Sequence, residues 1–128
     1  MTQANFNGTH CMVVGGAGFV GSNLVQALLE AGAERVVVVD NLLSADIVNV
    51  PQDSRVDFRL GSITDDRVLA ALPGDPHYVF HLSTYHGNQS SIADPIADHE
   101  HNTLTTLKLC EWLKEQEVRR VVYASAGC

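Results

Sequence analysis

Residues 11–21 read Cys11-Met12-Val13-Val14-Gly15-Gly16-Ala17-Gly18-Phe19-Val20-Gly21, a short apolar strand running into three glycines spaced three apart, Gly15, Gly18 and Gly21. An amphipathic pattern follows, with Gly21, Leu24, Val25, Leu28 and Leu29 on one stripe, a helix over about 19–31 and Gly32 as its stop. A strand, glycine turn and helix in this order suit a phosphate for physical reasons. The first glycine permits the tight turn, the second lets backbone approach a pyrophosphate, and the third lets the helix pack on its strand. Free N–H groups and the positive end of the helix dipole then face the anion. Glycine-rich turns also join strands to helices without any ligand, so the stretch alone leaves both readings open.

Working outward, residues 35–40 (Arg35-Val36-Val37-Val38-Val39-Asp40) form a continuous apolar run, as expected of a parallel strand covered on both faces. Residues 42–54, with Pro51, are the least regular and have room for a short helix. Residues 56–60 alternate as a third strand near an edge. Thr64 or Asp65 can cap a short helix through Val68, Leu69 and Leu72, stopped by Pro73-Gly74. Residues 78–82 read as strand four and 83–94 as a polar loop. Pro95 opens a long helix to about Glu117, with Ile96, Thr103, Leu107, Cys110 and Leu113 on the expected inward stripe. Residues 119–124 make strand five. Strands alternating with helices through right-handed crossovers predict an α/β, Rossmann-type doubly wound parallel sheet of five strands in the order 3-2-1-4-5.

The 128 residues, 45% of them hydrophobic, suffice for one core and leave no room for a second domain, so residues 1–128 are read as a single unit. Fifteen acidic against 8 basic residues, a net charge of -7, supply no basic field for nucleic acid or an anionic membrane. No apolar run is long enough to span a bilayer, and residues 1–10 lack the order of a signal peptide, so a cytoplasmic protein is expected. Cys11, Cys110 and Cys128 are too few and too widely spaced for a disulfide framework or a zinc site; Cys11 and Cys110 are expected to be buried. His77 and His81 would share a strand face roughly 13 Å apart, and His99 and His101 point apart on a helix, so no metal is expected.

Asp40 narrows the ligand. It ends strand two, 19 residues beyond Gly21, where a carboxylate accepts hydrogen bonds from both hydroxyls of an adenosine ribose. Its charge repels the 2′-phosphate of NADP, so NAD is the expected cofactor.

With these residues placed, residues 11–128 resemble the extended short-chain dehydrogenase/reductase family, in particular its NAD-dependent nucleotide-sugar epimerases and dehydratases. Residues 15–21 resemble its glycine fingerprint, and Asp40-Asn41-Leu42 its ribose-binding strand end. His81-Leu82-Ser83-Thr84 is similar to its His-Leu-Ala-Ala, and residues 102–107 to its Asn-Val-x-Gly-Thr helix, whose Asn holds the active-site framework. Val121-Val122-Tyr123-Ala124-Ser125 is similar to the strand leading to its catalytic Ser or Thr. The resemblance implies cofactor contacts at Gly15, Gly18, Phe19, Val20, Gly21, Asp40, Asn41, Ser62, Ile63, Leu82, Ser83 and Thr84.

The departures bear on catalysis. The family's Gly-Asp-Ile is here Gly61-Ser62-Ile63, so a hydroxyl replaces the carboxylate at the adenine. In the preferred register Ala126 occupies the position of the catalytic hydroxyl, and Ser125 serves only if the register moves by one. The family's Tyr-x-x-x-Lys, whose phenolate takes a sugar hydroxyl proton, is missing: Leu82, Gln89 and Gly127 stand four after Tyr78, Tyr85 and Tyr123. The expectation is therefore an incomplete domain, the NAD-binding portion of a longer enzyme acting on a nucleotide sugar. The alternative is a non-catalytic NAD-binding sensor or scaffold protein. Two further expectations follow: self-association through residues 120–125 as an exposed strand edge, or disorder there, and a loop over 85–91, with His86, lying where a substrate approaches.

Overall fold

The computed structural model describes residues 4–84 and 88–125. Five strands, β1 (His10–Val14), β2 (Arg35–Asp40), β3 (Val56–Leu60), β4 (Tyr78–His81) and β5 (Arg120–Tyr123), form one parallel sheet in the order β3-β2-β1-β4-β5. This is the sheet expected from the sequence. β1 lies at its centre, which is why Cys11 to Val14 are apolar without interruption: both faces are covered.

Alternation along the strands divides the core in two. Cys11, Val13, Val36 and Val38 point to one face and pack with Val25, Leu28 and Leu29 of helix α1 (Phe19–Glu30). Met12, Val14, Val37, Val39 and Val79 point to the other, against Leu69 of α2 (Asp66–Ala71), Ile63 and Leu72. The stripe read for α1 is the one that is buried, and Gly32, at φ +95°, ends it by donating to the Leu29 carbonyl at 3.1 Å. Residues 47–49 form a single 3₁₀ turn, the short helix allowed for in this stretch. Asp65 rather than Thr64 caps α2, accepting from the Arg67 amide at 2.9 Å.

Two expectations about the chain after β4 are corrected. Part of the expected loop is helical, α3 (Asn88–Ala93). It buries no apolar stripe, Ile92 being 82% exposed, and is tied down by Ser91 Oγ donating to Asp98 at 2.7 Å; without an inward face it leaves no 3.6-residue signal. The expected long helix is composite: α4 (Pro95–Asp98), a π turn (His99–Thr103) and α5 (Leu104–Leu113). Asp94 caps it ahead of Pro95, as an entry through that proline requires.

The inward stripe differs as well. Ile96, Thr103, Leu107 and Cys110 are exposed, whereas Thr105 and Leu109 are buried and Trp112 and Leu113 pack against the core. Two apolar stripes share this segment. The π turn adds a residue to the winding, so the face that meets the sheet in α5 is not the one continued from Ile96. Cys110 is accordingly a surface thiol rather than a buried one.

Candidate functional site

At the carboxyl ends of the strands, where β1 is flanked by β2 on one side and β4 on the other, the two halves of the sheet diverge. A cleft of about 280 Å³ opens there, at the position where open α/β sheets take their ligands. All twelve residues expected to contact a cofactor line it. His101 and Thr105 also line it and had been missed; they arrive from the π turn and α5, and no spacing near the glycines points to them.

The glycines divide into two kinds. A Cβ on Gly15, itself at φ +85°, would lie 2.7 Å from the Ser83 backbone nitrogen, and one on Gly21 would lie 2.2 Å from the Gly15 carbonyl oxygen. Both are demanded by the protein's own packing. Gly18 is different: its φ of -72° suits any residue, and its Cβ would meet nothing nearer than the Gly15 oxygen at 3.5 Å. Because Gly18 lines the cleft, a side chain there would occupy ligand space. The chain itself does not require a glycine at this position, and a closely approaching phosphate does.

Asp40 is 9% exposed and held on both oxygens, by the Ala17 amide at 3.0 Å and the Leu42 amide at 2.8 Å. Each oxygen keeps a lone pair for a further donor from the cleft. Asn49, which the sequence did not single out, donates to the Ala17 carbonyl at 3.1 Å and fastens the glycine loop from the other side. Ser62 turns its hydroxyl toward Thr64, 2.8 Å away, while its neighbour Ile63 is buried.

On the β4 side, His81 is buried between its strand, α5 and β5. Its Nε2 lies 2.9 Å from Thr106 Oγ1, its Nδ1 lies 3.3 Å from Ser83 Oγ, and its ring centroid is 5.5 Å from that of Tyr123. Burial pushes its pKa below the ordinary 6.5, so the ring is neutral at pH 7. Ser125 is exposed and does not line the cleft. Ala126 and His86 lie outside the described residues. Among the described residues no three His, Cys, Asp or Glu side chains gather as a metal site, and no helix is long and apolar enough to cross a membrane.

Residues 11–128 match the model of the NAD dependent epimerase/dehydratase family. The UDP-glucose 4-epimerase of Streptococcus mutans is 32% identical over 119 residues, covering 91% of this chain and 35% of that protein. Among solved structures, the Bordetella bronchiseptica enzyme WbmF in complex with NAD+ superposes with a TM-score of 0.91 at 63% identity, covering 95% of this chain and 37% of that one. The same enzyme is known in complex with NAD+ and UDP. The epimerase Mth375 of Methanothermobacter thermautotrophicus superposes at 0.87 with 41% identity, over 96% of this chain and 37% of its own. The chain thus spans little more than a third of the length of these relatives.

Proposed function

This chain belongs to the NAD dependent epimerase/dehydratase family, and on that premise we propose that its cleft holds NAD⁺ within an enzyme acting on a UDP-sugar. Gly15, Gly18 and Gly21, with Phe19 and Val20, take the pyrophosphate at the N-terminus of α1. Asp40 and Asn41 take the adenosine ribose, Ser62 and Ile63 lie beside the adenine, and Leu82, Ser83 and Thr84 run along the ribose and pyrophosphate on the other side. The observation that carries the reading is Gly18, a glycine the chain's own packing does not need. Support for the substrate class comes from the relatives, one a UDP-glucose 4-epimerase and another known with NAD+ and UDP. They lend nothing to the alternative of a non-catalytic sensor.

NAD⁺, when bound, supplies the hydride acceptor that makes a sugar carbinol carbon transiently planar. The residues of this chain bind and orient. Asp40 accepts from the ribose hydroxyls and disfavours a 2′-phosphate, and the first-turn amides of α1 at Phe19 and Val20 face the pyrophosphate, those of Gly15, Ala17 and Gly18 being spent on the Val39, Asp40 and Gly15 oxygens. Ser125 supplies the hydroxyl after β5 only with the register moved by one, since Ala126 holds the preferred position; as Ser125 does not line the cleft, Ser125→Ala leaves NAD⁺ binding unchanged. The reading places the protein in the cytoplasm. It also includes self-association through β5, where Val121, Val122 and Tyr123 are 44%, 42% and 60% exposed; a monomer by light scattering contradicts that part.

The test is calorimetric titration with NAD⁺ and NADP⁺. NAD⁺ is expected to bind at least about tenfold more tightly, a difference of about 1.4 kcal/mol. Equal affinities, or none for either, overturn the assignment.

A further inference from the structure

We propose that Thr106, His81 and Ser83 form a positioning relay that reaches from α5 to the cleft and holds the β4 bank at the separation a dinucleotide needs, with His81 as its Nε2–H tautomer. The positional half of this inference rests on the NAD⁺ reading above; the tautomer does not.

The assignment follows from counting protons. Thr106 Oγ1 donates its one hydrogen to the Asn102 carbonyl at 3.1 Å, so only a lone pair is left for His81. The 2.9 Å contact with His81 Nε2 is then an N–H donated by the ring. A neutral imidazole carries one N–H, so Nδ1 is bare, and at 3.3 Å the Ser83 hydroxyl must donate to it. Among the described residues no buried side-chain nitrogen or oxygen is left without a partner, as this chain of single-role hydrogen bonds requires.

The relay ends at the cleft. Ser83 lines it, and its backbone nitrogen sits so near Gly15 that a Cβ there would come within 2.7 Å. Leu82 continues the ladder by donating to the Val14 carbonyl at 2.8 Å. Movement of Ser83 therefore changes the gap between the β4 bank and the glycine loop. With its proton committed to His81, Ser83 has only lone pairs left for the cleft, and so suits a ribose hydroxyl donor on the ligand rather than its pyrophosphate oxygens. The resemblance has Ala-Ala where this chain has Ser83-Thr84, so the last link is a feature of this sequence.

The experiment joins nitrogen-15 spectroscopy of the His81 ring to NAD⁺ titration. The wild type is expected to show a protonated Nε2 and a bare Nδ1; the reverse overturns the relay. Thr106→Val keeps the shape but removes the acceptor. It is expected to redistribute the tautomers and weaken NAD⁺ binding about five- to tenfold, while Thr106→Ser restores both. A valine variant that binds as wild type overturns the positioning role. Should that variant fail to fold, Ser83→Ala removes the last link alone, and an unchanged Nδ1 resonance with unchanged affinity is the contrary result. A wild-type chain that shows the Nε2–H form yet binds no NAD⁺ overturns the dinucleotide reading and the positional half with it, leaving the tautomer established.

Discussion

On the β1 bank of the cleft backbone meets backbone: Gly21 abuts the Gly15 carbonyl, and Gly15 abuts Ser83, at distances that admit no side chain. On the β4 bank the fixing is done by side-chain hydrogen bonds, from Thr106 through His81 to Ser83. The difference concerns tolerance. Backbone overlap has no rotamer to escape into, so a methyl group there moves the whole turn. A lost hydrogen bond leaves the shape in place and costs about the desolvation of one group. The first bank resists change entirely or fails; the second adjusts by degrees.

That contrast can be broken most forcefully at Gly21. Gly21→Ala is expected to cost about 3 kcal/mol or more in chemical denaturation, because the Gly15 oxygen at 2.2 Å is backbone and cannot turn aside. A loss below about 0.5 kcal/mol would show that the turn yields. Gly18→Val sits in the same loop and should leave stability nearly untouched, yet lower NAD⁺ affinity by about a hundredfold, or about 2.7 kcal/mol. Loss of fold in that variant would erase the distinction between the two kinds of glycine. Asp40→Ala releases the Ala17 and Leu42 amides and is expected to cost about 1–2 kcal/mol of stability while removing the preference for NAD⁺ over NADP⁺, both readable on one sample.

The smallest effect belongs to the second bank and depends on pH. His81 has a folded-state pKa below its ordinary 6.5 because it is buried, so the unfolded chain takes up the proton first as pH falls. Stability is therefore full above pH 6.5 and declines below it, by at most about 1.4 kcal/mol per pH unit from this one group. Denaturation midpoints against pH should show the decline in the wild type and less of it in His81→Asn. Parallel curves would remove His81 from the account.

The same contrast explains what could be read from the sequence. Glycine spacing, Asp40 after a valine run and the period-2 and 3.6-residue patterns are local signals, and they placed the strands, α1, the glycine turn and Asp40; Asn41, Ser62, Ile63 and Leu82 to Thr84, which also line the cleft, came from the family resemblance. Asn49, His101 and Thr105 reach the site only through the crossover geometry, at separations where residue type carries no directional information. The helix after β4 went astray for a related reason. Leu107 and Cys110 are as apolar as Leu109 and Trp112, and only packing on the sheet decides which stripe turns inward. α3 has no inward stripe to read; a polar contact of Ser91 with Asp98 ties it to α4.

Cys11, the second residue of the central strand, has no exposure; burial pushes its thiol pKa up, and it lies 3.7 Å from Thr9 Oγ1. A thiol so placed is silent toward alkylating reagents until the sheet parts. Its modification rate is then a clock for global opening, independent of any ligand or optical probe. Cys110, bare on α5, reacts at once and supplies the zero of the same time axis.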